Sequence, residues 1–176
     1  MFRILSKSLK TGIVTGRYEE RPSGTVSLSP EVEKTAQTFR KSLTIREVDT
    51  GSCNGCEMEM NALMNPVYDA ERFGVHIAAS PRHADALVVT GPVTVNMEKA
   101  LKDAYRATPD PKLVIALGDC ACDCGMFKGS YAVTGPVARH LPVDMRVPGC
   151  PPRPAEILQA LQTLMGREDA THHAPQ

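Results

Sequence analysis

Six cysteines in 176 residues are the main chemical resource of this sequence, and they are unevenly spaced. Cys53 and Cys56 stand three positions apart in "TGSCNGCEMEM", residues 50–60. Cys120 lies in "ALGDCACDCG", with Cys122 and Cys124 just behind it, and Cys150 lies in "RVPGCPPRP". A C-x-x-C pair can serve as a redox dithiol, half of a zinc site, a disulfide anchor or one edge of an iron–sulfur cluster. The opening "MFRILSKSLK" has neither an apolar h-region nor a small-residue cleavage site, so export is not expected. Without export a disulfide framework is not expected either.

What must position these thiols is an α/β domain. From Leu43 onward, short apolar runs alternate with stretches of helical period. The runs predict strands at 43–48, 75–80, 86–91, 112–118 and 143–147, with helices near 56–65, 94–107 and 152–165. The last helix opens with "PPRPAEIL", and proline suits a first helical turn because its missing N–H has no partner to lose there. Five strands with intervening helices predict a flavodoxin-like, open, mostly parallel five-stranded sheet with helices on both faces. One link is short. Only "PRHAD" joins the second and third strands, so either the crossover is a single turn of helix or one strand runs antiparallel.

On such a sheet Cys53 and Cys56 follow the first strand, Cys120 the fourth and Cys150 the fifth. Ligands bind beyond the carboxyl ends of the strands, so these four thiols should converge at one edge and make a metal site. A thioredoxin-like dithiol shares the strand, C-x-x-C, helix layout but leaves Cys120 and Cys150 unexplained. Zinc accepts four cysteines, usually from paired knuckles in small folds, and it stays open as a freestanding Cys-zinc alternative. Flavin is disfavoured because thiols replace the hydroxyls and amides that a phosphate loop needs, and no Walker A or G-x-G-x-x-G sequence is present. A [4Fe–4S] cluster wants four thiolates and tolerates long gaps between them.

Hydrophobic residues are 42% of the chain and charged residues 23%, as in a globular protein, and no apolar run approaches the length of a membrane span. The 20 Lys and Arg balance 20 Asp and Glu, which gives no reason to expect nucleic acid as a partner. Eight of those cations lie in residues 1–41 against four Glu, so 1–41 is a basic extension. Phe2, Leu5, Leu9 and Ile13 recur there at helical spacing between Arg3, Lys7 and Lys10, a pattern suited to a membrane surface or a partner's groove. The alternative is a frayed terminus. Residues 42–166 are then the metal-binding domain, and 167–176, with His172 and His173, an unstructured tail.

"DTGSCNGCEMEM", "DAERFGV", "SPRHADALVVTGPVT", "GDCA" and "VPGCPPRPAEIL" together resemble the small subunit of membrane-bound [NiFe] hydrogenases of the formate hydrogenlyase type. That group is homologous to the B-type subunit of respiratory complex I. The likeness covers roughly residues 43–165. It implies one [4Fe–4S] cluster held by Cys53, Cys56, Cys120 and Cys150 and docking on a large hydrogenase-like or quinone-site subunit. It further implies a ferredoxin-like iron–sulfur subunit, membrane-arm subunits and a cytoplasmic position on the inner face of the cell membrane. Complex I subunits carry adjacent cysteines in the first loop, whereas this chain has C-x-x-C, as the hydrogenases do. It departs from the family at Cys122 and Cys124, where glycine or small residues are usual.

Arg82 and His83 are candidates to lie at the same rim, where a cation would raise a cluster's potential. The alternative there is a simple turn capped by Ser80. Glu57 and Glu59 suit the first turn of a helix for reasons of dipole alone, and the resemblance implies a proton route near Glu57. Met58, Met60 and Met64 are expected to pack in the core or on the face that meets a partner.

Overall fold

The computed structural model describes residues 37–166 together with Lys10, Ser27–Leu28 and Val32. The basic amphipathic segment proposed for residues 2–13, Lys10 apart, and the tail 167–176 lie outside the described residues. The strands are β1 (Ser27–Leu28), β2 (Leu43–Asp49), β3 (Val75–Ile77), β4 (Ala86–Thr90), β5 (Val93–Thr94), β6 (Leu113–Leu117), β7 (Val133–Gly135) and β8 (Met145–Val147). The helices are α1 (Gly55–Ala62), α2 (Glu98–Ala107), α3 (Asp119–Asp123) and α4 (Pro154–Leu164), joined in places by single 3-10 turns.

The main sheet has the order β1-β8-β6-β4-β2-β3. The five expected strands, β2, β3, β4, β6 and β8, all run parallel. Numbered among themselves, they lie in the order 2-1-3-4-5, which is the flavodoxin-like winding. Its topological switch point falls between β2 and β4. A sixth strand was not expected: β1 pairs antiparallel with β8, Ser27 opposite Arg146 and Leu28 opposite Met145. Val32 and Phe39 are buried in the core as well, so the domain draws on residues before position 42. β5 and β7 form a separate antiparallel ladder, Thr94 opposite Val133.

Continuous apolar runs make the central strands because both faces of the sheet are covered. Every residue of β4 and β6 is buried. Period-two alternation sends Ala86, Val88, Leu113 and Ile115 into the layer under α1 and α4, with Met60, Ile157 and Leu161. Leu87, Val89, Val114 and Ala116 face the other layer, with Leu101 of α2 and Ala121 of α3. The start of α4 is fixed by Pro154 in its first turn and by the Glu156 carboxylate, which accepts from the Arg153 N–H at 2.9 Å. Among the described residues no helix is long and apolar enough to cross a membrane.

Register explains the short crossover. β3 ends with Ile77 opposite Ile45, and β4 begins with Ala86 opposite the same Ile45. The chain therefore crosses β2 at one level, roughly two strand spacings or ~10 Å, and has no strand length to retrace. A single turn, Pro81–His83, suffices.

Candidate metal centre

Loops leaving β2, β6 and β8 meet at the carboxyl ends of those strands. After β2, Asp49 Oδ1 accepts from the Gly51 and Ser52 N–H groups, both at 2.8 Å, and Ser52 Oγ accepts from the Asn54 N–H at 3.0 Å. This local ladder turns the chain sharply and presents Cys53. Asn54 takes a left-handed conformation (φ 70°) and α1 starts at once, which carries Cys56 inward. Thr50 Oγ1 donates to the Thr90 carbonyl at 2.8 Å, and Thr94 Oγ1 donates to the Thr50 carbonyl at 2.8 Å, so the loops after β2 and β4 are tied together.

The loops bearing Cys120 and Cys150 are clasped by three bonds. The Gly118 N–H donates to Val147 O at 2.8 Å, the Asp119 N–H donates to Gly149 O at 2.8 Å, and the Gly149 N–H donates to Asp119 Oδ1 at 2.7 Å. Gly118 (φ 87°) lets the α3 loop approach α1 closely: a Cβ there would stand 2.7 Å from Cys56 Sγ.

Cys53, Cys56, Cys120 and Cys150 consequently line one crevice, together with Ser52, Gly91, Asp119 and Pro151. All six cysteines are free thiols. Burial pushes the Cys56 thiol up to about 12, helped by the Glu57 carboxylate and then by the Cys120, Cys53 and Cys150 sulfurs. Cys120 is likewise pushed up, first by burial and then by Cys150 and Cys53. Burial and the neighbouring sulfurs thus both favour the protonated thiol at Cys56 and Cys120. Among the described residues no three His, Cys, Asp or Glu side chains are grouped tightly enough to hold a single ion. The thiols ring a crevice; they do not meet at a point.

Cys122 and Cys124 belong elsewhere. They line a different cleft, and the Cys122 sulfur donates to the Ala116 carbonyl at 3.6 Å. Burial pushes Cys122 up to about 11.

Arg82 and His83 are not at this rim, which corrects the expectation from sequence. Their turn follows β3 and precedes β4, so it sits at the amino end of β4, a full strand away from the cysteines. It is the Ser80-capped turn, with the Arg82 N–H donating to Ser80 Oγ at 3.4 Å. Glu57 is in the first turn of α1, 8% exposed, and neither carboxylate oxygen has a hydrogen-bond partner among the described residues. The methionines divide: Met60 is core, Met64 packs partly buried against it, and Met58 is 62% exposed. Sequence reasoning passed over Asp119, Ser52 and Gly91. An Asp directly before a cysteine-bearing helical turn was the available signal for the first; the other two carry none that composition reveals.

A flavodoxin-like sheet with four thiols gathered at its switch-point end defines a class of α/β domains with a cysteine-lined crevice. Residues 53–164 match the family described as NADH ubiquinone oxidoreductase, 20 Kd subunit, and the chain belongs to that family. The match begins at Cys53 and takes in all four crevice thiols. Over 134 residues the chain is 46% identical to the probable membrane-bound hydrogenase subunit mbhJ of Pyrococcus furiosus, covering 76% of this chain and 80% of that one. It is 40% identical over 148 residues to formate hydrogenlyase subunit 7 of Escherichia coli, covering 84% of this chain and 55% of the relative. Among solved structures it is similar to a chain of the membrane-bound sulfane sulfur reductase, an archaeal respiratory membrane complex, with TM-score 0.65, 35% identity and coverage of 77% and 76%.

Proposed function

We propose that this chain is an electron-transfer subunit that carries one [4Fe–4S] cluster on Cys53, Cys56, Cys120 and Cys150, within a membrane-associated oxidoreductase complex of the hydrogenase type. The observation that carries the reading is the convergence of four thiols, from three loops, on one crevice at the sheet's switch point. The donor set fits: four sulfurs, no competing imidazole, and a side-chain-free position at Gly118 beside Cys56. A lone tetrahedral zinc would need its sulfurs roughly 3.8 Å apart, from Zn–S bonds near 2.3 Å. Thiols that ring a crevice suit a cluster in which each binds a different iron.

When bound, the cluster supplies one-electron transfer without turnover by this chain. The chain's own residues hold and insulate it. The clasp between Asp119 and Gly149 fixes the distance between the Cys120 and Cys150 loops, and the Thr50–Thr90–Thr94 bonds fix the loop of Cys53. The family likeness implies a proton route near Glu57, which is buried and directly follows Cys56. Two residues between Cys53 and Cys56, and relatives named as hydrogenase and formate hydrogenlyase subunits, favour hydrogen chemistry in the partner over quinone chemistry. Large, ferredoxin-like and membrane-arm subunits are the partners this assigns, with the chain peripheral on the cytoplasmic side of the membrane.

Anaerobically purified protein should be brown, with about four irons and four sulfides per chain, and should show one EPR signal on reduction. A colourless protein with one zinc would overturn the proposal.

A further inference from the structure

The cleft that holds Cys122 and Cys124 shares no lining residue with the cysteine crevice. Its volume is about 540 Å³, within the range of small-molecule sites. Three cations line it, Lys128, Arg139 and Arg146, against one carboxylate, Asp123. Among the described residues none of the three is ion-paired with a carboxylate. Asp123 is already engaged, its Oδ1 accepting from the Gly125 N–H at 2.9 Å. Arg139 is held in place: its Nη1 donates to the Thr134 carbonyl at 2.9 Å, leaving the rest of the guanidinium fork free to face a ligand.

The whole chain has zero formal net charge, so this local excess is not the shadow of a basic protein. Like charges gathered in one concavity repel each other and attract an anion. Two guanidinium groups offer the planar, bidentate donors that phosphate oxygens accept. Val133, Pro136 and Ala138 line the same cleft, so one part of it is apolar. A bare inorganic ion would leave that wall unused; an organic substituent would cover it.

We propose that this cleft is a binding site for the phosphate group of an organic phosphate, either a soluble phosphate ester or a phospholipid headgroup. The assignment does not rest on the cluster: the cleft stands whether or not the crevice carries iron.

The test uses the full chain, purified anaerobically, with two probes. Glycerol 3-phosphate is titrated by calorimetry, and vesicles of phosphatidylglycerol or phosphatidylcholine are tested by co-sedimentation. Arg146→Gln is compared with Arg106→Gln, which removes the same charge from exposed α2, outside the cleft. Saturable binding of glycerol 3-phosphate that weakens at least tenfold in Arg146→Gln and is unchanged in Arg106→Gln supports a soluble ligand. Retention on phosphatidylglycerol but not phosphatidylcholine, lost in Arg146→Gln alone, supports the headgroup. Arg146→Lys, which keeps the charge but not the fork, should bind with intermediate affinity and guards against a folding defect in the glutamine variant. If neither probe binds, or if both glutamine variants weaken binding equally, the proposal is overturned.

Discussion

A methyl group at position 118 would stand 2.7 Å from the Cys56 sulfur, on a backbone at φ 87° that non-glycine residues avoid. Gly118→Ala should therefore cost stability by more than about 1 kcal/mol and lower iron retention, measured by melting and by iron analysis. The thiols themselves divide into two groups. Cys53→Ser and Cys150→Ser should each abolish the normal cluster, with iron lost and the EPR signal absent. Cys124→Ser should keep its iron, because that thiol lies in the neighbouring cleft. Four irons in either of the first two variants would refute the ligand set. Within "CACDC" the sequence singles out Cys120 as the first thiol past the fourth strand, and it is Cys120 that lines the crevice with Cys56 while Cys122 and Cys124 line the other cleft.

At the scale of elements, the site is only as firm as the clasp between the start of α3 and the loop after β8. Asp119→Ala removes the acceptor of the Gly149 N–H and should destabilise the fold by about 1 kcal/mol. It should also speed iron loss to a chelator, whereas Asp119→Asn, which keeps an oxygen there, should not. In β2, burial pushes the Glu47 carboxyl above its usual range, with the Glu57 and Asp49 carboxylates adding to it and Arg46 opposing. The folded state thus binds that proton more tightly than the unfolded one, and stability falls as pH rises from about 4.3 through the raised value. Glu47→Gln should raise the melting temperature of the isolated chain at pH 7 and leave it unchanged at pH 4. An equal gain at both would show that charge is not the cause. The two central parallel strands were legible because "ALVV" and "LVIAL" are continuous apolar runs. β1 was not, because a strand of two residues is too short to show alternation. β5 and β7 were not, because each is too short to show alternation and its partner lies some 40 positions away. Arg82 and His83 were misplaced for one reason: the second strand stops at Ile77, before it reaches the carboxyl-end rim.

At the scale of the whole molecule, large apolar side chains stand exposed among the described residues, Met58 and Met126 on the segments that carry Cys56 and Cys120. Tyr131 is 100% exposed, Met126 79% and Met58 62%. Val95 joins them, its N–H donating to the Ala132 carbonyl beside Tyr131 at 2.9 Å. Large apolar groups left in water suit a surface closed by a partner. Tyr131→Asp with Met126→Asp should reduce co-purification of the proposed large-subunit partner while leaving iron content unchanged. Loss of iron together with the partner would instead place these residues in the fold of the site. The most direct test of the central claim is anomalous diffraction at the iron edge from crystals grown without oxygen. The account predicts iron density enclosed by the sulfurs of residues 53, 56, 120 and 150. Iron bound instead at Cys122 and Cys124, or no iron in the crevice of a brown, EPR-active crystal, would contradict it.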